Sequence, residues 1–348
     1  MMTVLLFILI FGVVVISHEF GHFIIAKLNG INVVEFAVGM GPTLLSFKRH
    51  GTKYAIKLFP IGGACMFEGE DGLLSELDIE DGSFQKANVW ARMATVVAGP
   101  FFNFILAFVV AIMIVSIQAP ARCDLSGVAQ GSPAEAAGLM EGDKIISING
   151  EKTYLFKDIS LIAYLNGGNE MEIVYERAGE KQTVMITPTY NEEYGSYMLG
   201  IYGTGVGKAK GLSVFSDAFY EMRYSAVNTY KSLKMLVTGK LDRKEVAGPV
   251  GIANVVGETY DVAKEYGVLS VFYSMAQIVL LLSVNLGILN LLPVPALDGG
   301  RLVFMIVEVF RGKPIPPEKE GIVHLAGLVF FMVLMVVVLF NDIINIFG

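Results

Sequence analysis

Apolar residues are gathered into long runs along this chain rather than spread through it, and the runs set the first expectation. Residues 1–28 read MMTVLLFILIFGVVVISHEFGHFIIAKL, with no basic residue before Lys27. A second run follows Arg92 through ATVVAGPFFNFILAFVVAIMIVSI to about Ile117, and its Gly99-Pro100 pair predicts a kink near the start. Val271–Leu292 forms a third run, stopped by Pro293 and Pro295, and a fourth extends from near Gly321 to about Ile346. A hydrocarbon core of about 30 Å takes roughly 20 helical residues to cross. Each run is long enough, so four transmembrane helices are expected. The first lacks the basic leader and the small-residue cleavage site of a signal peptide, and is read as a retained span.

Lysine and arginine placement orients these spans. Lys27, Lys48, Arg49, Lys53, Lys57, Lys86 and Arg92 lie between the first two, and Arg301, Arg311, Lys313 and Lys319 between the last two. In a four-span topology both loops share a side, and their basic content predicts the cytoplasm. The segment from about Pro120 to Gly267 then lies outside. Within it, GVAQGSPAEAAGLMEGDKIISINGEK carries a Ser132-Pro133 cap and an Ala-rich helix, then a Gly142-Asp143 turn. A short strand with Ile146 and Ile148 follows, and then the hairpin signal Asn149-Gly150. Met171–Tyr175 and Gln182–Pro188 alternate as strands around an Ala-Gly-Glu turn. These residues resemble a PDZ domain of the circularly permuted bacterial type. The resemblance implies that a peptide strand, such as a protein C-terminus, adds to a sheet edge; the alternative is a steric spacer. Leu212–Val237 mixes three- and four-residue apolar spacing with Lys and Arg, which predicts an amphipathic helix on the lipid surface.

The expected organisation is therefore a polytopic α-helical membrane protein with an extracytoplasmic α+β domain. Residues 1–118 form the first half of a membrane core, 122–190 the PDZ module, 191–268 an amphipathic surface segment and 269–348 the second half of the core. Composition agrees: 54% of residues are hydrophobic and 17% charged, against roughly 45–50% and about 25% in soluble domains. A net charge of −7 argues against nucleic acid as a partner. Cys65 and Cys123 fall on opposite sides of the predicted membrane, so no disulfide is expected between them.

The chemistry is concentrated in His18-Glu19-Phe20-Gly21-His22, an H-E-x-x-H motif inside the first apolar run. On a helix, positions i and i+4 share a face about 6 Å apart, so both imidazoles can reach one tetrahedral Zn²⁺. Glu19 lies beside them, placed to take a proton from the attacking water and pass it to the leaving amine. Ionisable groups inside a span cost roughly 2.5–3.5 kcal/mol each by insertion scales, which makes them functional by default. A third ligand is needed, and Asp298 in NLLPVPALDGGR is the candidate. His18 sits roughly 25 Å along the first helix, near its cytoplasmic end, and Asp298 follows the cytoplasmic end of the third span. Asp298-Gly299-Gly300 also fits a simple tight turn.

HEFGH, the N-x-x-P-x-P-x-L-D-G-G stretch, Gly99-Pro100-x-x-Asn103 and the PDZ-like module together resemble the site-2 protease family of intramembrane zinc metalloproteases. The bacterial branch with a single PDZ domain is the best fit, and the similarity covers almost the whole chain. The resemblance implies one Zn²⁺ held by His18, His22 and Asp298, with Glu19 as general base. It implies that Asn290 grips substrate and that Lys53–Phe67 (KYAIKLFPIGGACMF) is a membrane-dipping β-hairpin. Tyr54, Ile56, Gly62 and Gly63 of that hairpin would meet an unwound substrate strand. Asn103 either faces substrate or makes an interhelical hydrogen bond. The implied substrates are single-pass transmembrane proteins such as anti-sigma factors, or remnant signal peptides, in a bacterial inner membrane. A metal transporter or a membrane-anchored PDZ scaffold needs no Glu beside the first histidine.

Overall fold

The computed structural model of the chain describes residues 2–69, 81–204, 207, 209, 211–240 and 246–347. In chain order it runs α1 (Met2–Leu28), β1 (Val33–Arg49), β2 (Thr52–Phe67), α2 (Val89–Ile117), β3 (Leu125–Val128), α3 (Pro133–Ala136), β4 (Lys144–Ile148) and β5 (Glu151–Lys152). There follow α4 (Phe156–Asn166), β6 (Met171–Arg177), β7 (Glu180–Ile186), β8 (Thr189–Asn191), β9 (Ser196–Met198), β10 (Ile201–Gly203), α5 (Ser213–Val237), α6 (Pro249–Lys264), α7 (Val268–Asn290), α8 (Asp298–Arg311) and α9 (Pro317–Phe347). Two compact units result, one of residues 1–110 with 229–348 and one of residues 111–228.

In the first unit, α1, α2, α7 and Glu318–Asn345 of α9 are long and apolar enough to cross a membrane, as the four runs predict. The buried stripe of α1 is Phe7, Ile10, Val14, Val15, His18, Gly21, His22 and Ala26. Its three- to four-residue spacing is that of one helix face, so the packing that seats α1 also buries both histidines. Ile10 meets Val256 of α6 and Met275 of α7 in one apolar cluster. Helix α6 was not foreseen: Gly248-Pro249 reads as punctuation, yet it is a helix start, with Pro at N1 where its missing N–H costs nothing. Asp342 of α9 caps it, accepting the N–H of Gly248 and of Gly251 at 2.8 Å each.

The β1–β2 sheet departs from the expected hairpin. Thr43–Arg49 folds back on Thr52–Lys57 about a turn whose central residues, His50 and Gly51, have φ of 47° and 79°. Positive φ at both is the type I′ arrangement that matches strand twist. Val33–Val38 pairs with Gly63–Phe67 on one side and, running in the same direction, with Lys53–Ile56 on the other. The two halves of Lys53–Phe67 are therefore separated by a strand of β1 and do not form a hairpin with each other. Pro60 has no amide hydrogen for such a ladder, whereas His50-Gly51 supplies the turn chemistry. Glu35 ties the middle strand to its neighbour through Lys57 at 2.7 Å and Lys53 at 2.9 Å. The acidic stretch Glu68–Asp81 reads as a solvated loop, and its residues 70–80 lie outside the described residues.

The second unit holds a four-stranded sheet ordered β5-β4-β6-β7 and a separate β10–β3 pair. Ser132 caps α3 by accepting the Glu135 N–H, and Asn149-Gly150 closes β4 to β5 with φ of 51° and 78°, both as predicted. The boundary at 190 is too early. Leu199 is buried in the module's core, and Ile201–Gly203 returns to pair with β3, so the module runs to about Gly203. Three-residue strands are too short to show alternation in sequence. Nor is α5 simply a surface helix. Its Asp217, Glu221 and Arg223 pair with Arg122, Lys157 and Asp158 of the module, while Leu212, Phe215 and Phe219 stay exposed. Cys65 and Cys123 are both free thiols.

Candidate metal centre

His18 and His22 lie one turn apart on α1, with ring centroids at 4.7 Å and planes near perpendicular at 89°. Their Nε2 atoms are 3.2 Å apart. Asp298 opens α8 after the proline-broken turn that follows α7, and its Oδ2 lies 3.2 Å from His18 Nε2 and 3.4 Å from His22 Nε2. These three atoms fall within 4.8 Å of one another. Two helices distant in sequence thus deliver their donors to one place. Asp298 Oδ2 is buried and takes no hydrogen bond. Burial pushes its carboxyl up, but the two imidazoles outweigh that and hold it down to about 2. Two imidazole nitrogens and one carboxylate oxygen form a donor set of the kind that suits catalytic zinc.

The far nitrogens of both rings are also engaged, and this shell comes from α2. His22 Nδ1 donates to the Thr95 carbonyl at 2.9 Å, which leaves Nε2 with its lone pair. Asn103 Nδ2 lies 3.3 Å from His18 Nδ1; Asn103 is fully buried and its Oδ1 has no partner. With that oxygen turned to the ring it accepts Nδ1–H, and His18 Nε2 likewise keeps its lone pair. Between them lies Gly99. A Cβ there would sit 2.5 Å from His22 Cε1 and 2.9 Å from His18 Cε1, and nearer still to His22 Nε2. Thr95, Gly99 and Asn103 are spaced by four, so one face of α2 backs the whole site.

Sequence reasoning missed Thr95 and read Gly99 as a kink and as part of the Gly99-Pro100-x-x-Asn103 motif, not as a gap for the two rings. Asn103, read as either substrate-facing or interhelical, is buried and its side chain meets His18. Glu19 is half-buried beside the ligands and takes a backbone hydrogen bond from Cys65. Gly63 lies against it, since a Cβ would be 2.7 Å from Glu19 Cγ. Asn290, the last residue of α7, brings its amide within 3.4 Å of His18 Nε2. Tyr54 stacks on Phe47 at 5.1 Å and packs edge-on to Phe23 of α1 at 6.0 Å. Ile56 is exposed, and the nearest side chain to Gly62 is that of Met40.

Comparison with known proteins bears on this geometry. Residues 6–334 match the family described as Peptidase family M50. The regulator of sigma-W protease RasP of Bacillus subtilis is 34% identical over 428 aligned positions, covering 99% of each chain. A zinc metalloprotease RasP of Bacillus licheniformis is 35% identical over 432 positions and covers 100% of both. Among solved structures, the PDZ domain of an SdrC-like protein from Listeria monocytogenes aligns with 25% of this chain and 88% of its own, at 21% identity and a TM-score of 0.22.

Proposed function

This chain belongs to peptidase family M50, and from that premise we propose that it hydrolyses a peptide bond within, or at the edge of, another protein's transmembrane helix. It is an integral membrane zinc metalloprotease. We assign the zinc to His18, His22 and Asp298, and the general-base role to Glu19. The observation that carries this reading is the convergence of two Nε2 atoms and one carboxylate oxygen within 4.8 Å, in a bundle of apolar helices. When bound, zinc polarises the scissile carbonyl and acidifies the attacking water. Glu19, held by the Cys65 amide, receives the proton and returns it to the leaving nitrogen.

A helix hides its carbonyls in i→i+4 bonds, so the substrate must unwind before its amide can be reached. Asn290 stands beside His18 with a carboxamide able to hold an extended backbone. Exposed Leu44, Leu45, Phe47, Ile56, Leu58 and Phe59 support a β1–β2 sheet that dips into lipid and offers an edge to the unwound segment. The basic loops favour a metal centre near the cytoplasmic face of a bacterial inner membrane, with residues 122–203 outside as a PDZ domain that reads a peptide end or filters by size. Single-pass proteins already trimmed outside, such as anti-sigma factors, or leftover signal peptides are the substrate class. The name of the Bacillus subtilis relative favours the former. Comparative membrane proteomics of cells carrying wild type or Glu19→Gln tests this. Single-pass fragments should accumulate in the variant; identical membrane proteomes would refute it.

A further inference from the structure

The loop that delivers Asp298 is short and poor in donors. Pro293 and Pro295 have no amide hydrogen, and Ala296 holds φ at 72°, a region that residues with a Cβ rarely adopt. The Ala296 N–H is satisfied from outside the loop, donating at 3.0 Å to Nδ1 of His324 on α9. Since Nδ1 accepts, the ring proton sits on Nε2, which faces Glu320 at 3.8 Å. Nearly a turn along α9, Gly327 lets the helix come so near that a Cβ there would lie 2.6 Å from the Pro295 carbonyl carbon. Three residues apart, His324 and Gly327 share one helix face. The His324 ring also rests against Phe304 of α8, with centroids 5.6 Å apart. It therefore touches the chain on both sides of Asp298. Only 6% of the apolar stretch of α9 is buried, so this contact is among the few inward ones the helix makes.

We infer that His324 is a positioning residue for the metal centre: by accepting the Ala296 amide it holds the turn that aims Asp298 Oδ2 at the two imidazoles. It acts through Asp298 and rests on the reading of Asp298 as a ligand. The test uses the full chain purified in detergent, with zinc affinity read by competition against a chromogenic chelator and cleavage read separately. His324→Leu keeps an apolar bulk but deletes the acceptor, and should weaken zinc binding by about tenfold, the lower end for an outer-shell change. His324→Asn offers Oδ1 near the place of Nδ1 and should recover most of that loss. Val333→Ala, on the exposed face of α9, should bind zinc as wild type does. Wild-type affinity in His324→Leu overturns the inference, and so does equal weakening in the Asn and Leu variants, which would mark general loosening of α9. Asp298→Asn separates the two readings. Retained zinc there removes the ligand assignment itself, whereas lost zinc there with none lost in His324→Leu removes only the positioning role.

Discussion

Gly99→Ala is the smallest change that should disable this protein, and the structure says why. The added methyl would lie 2.5 Å from His22 Cε1 and 2.9 Å from His18 Cε1, where ordinary van der Waals contact begins at 3.4 Å. One or both rings must retreat by roughly 1 Å, against the ~0.5 Å within which a preorganised site has to be held. Retreat is blocked in different ways for the two rings. His22 is tied to the Thr95 carbonyl at 2.9 Å, and His18 meets Asn103, which is itself fully buried. Overpacking of this kind costs about 1–3 kcal/mol in fold stability. The larger effect falls on the metal. Zinc affinity should drop by about a hundredfold, the upper end for a disturbed outer shell and equal to about 2.7 kcal/mol. The assay is chelator competition on the purified chain, with thermal unfolding of metal-free protein alongside. Zinc affinity within about threefold of wild type, a difference below 0.7 kcal/mol, would refute the packing of α2 against the imidazoles.

Other predictions follow from the same geometry. Asp298→Ala should abolish stoichiometric zinc in the purified chain; a full equivalent retained would remove Asp298 from the ligand set. Asn103→Leu, close in volume but unable to accept Nδ1–H, should weaken zinc by about ten- to a hundredfold, while cleavage at saturating zinc recovers in part. Unchanged affinity would mean that Asn103 only packs. In the second unit, burial pushes the Asp143 carboxyl up, but the Arg177 guanidinium at 2.7 Å and the Met140 N–H outweigh it and hold the group below the usual carboxylate range. A depressed folded-state value means stability that is present above about pH 4, the unfolded value, and lost as pH falls through the folded one. Asp143→Asn should therefore lower the thermal midpoint at pH 7 and cease to matter in stronger acid. An equal penalty at both pH values would contradict this account.

The proposed catalytic constellation is one that side chains carry. His18, Glu19 and His22 carry their spacing openly, and Asp298 follows the end of the third span on the side where His18 is expected. What surrounds them was not legible in the sequence. Thr95 contributes a backbone carbonyl, which any residue type would present. Gly99 contributes the absence of a side chain, and His324 contributes an acceptor to a loop that is adjacent only in space. The sheet misled for a related reason. His50-Gly51 is a weaker turn signal on paper than Pro60-Ile61-Gly62-Gly63, and a strand inserted between the halves of Lys53–Phe67 is a long-range event. Apolar runs fixed the spans, since length against bilayer thickness is a one-dimensional question. Helix α6 lay hidden because its moderate amphipathicity sits directly before a span, and its start depends on Asp342 some 90 residues later.

The central claim is that Glu19 moves the proton while His18, His22 and Asp298 hold the metal. The measurement that tests it most directly is a paired assay on one Glu19→Gln preparation reconstituted in lipid: zinc content, and cleavage of a single-pass substrate. Zinc at the wild-type stoichiometry with no detectable cleavage is the predicted result. Cleavage that persists in Glu19→Gln, or zinc lost along with activity, would contradict the division of roles.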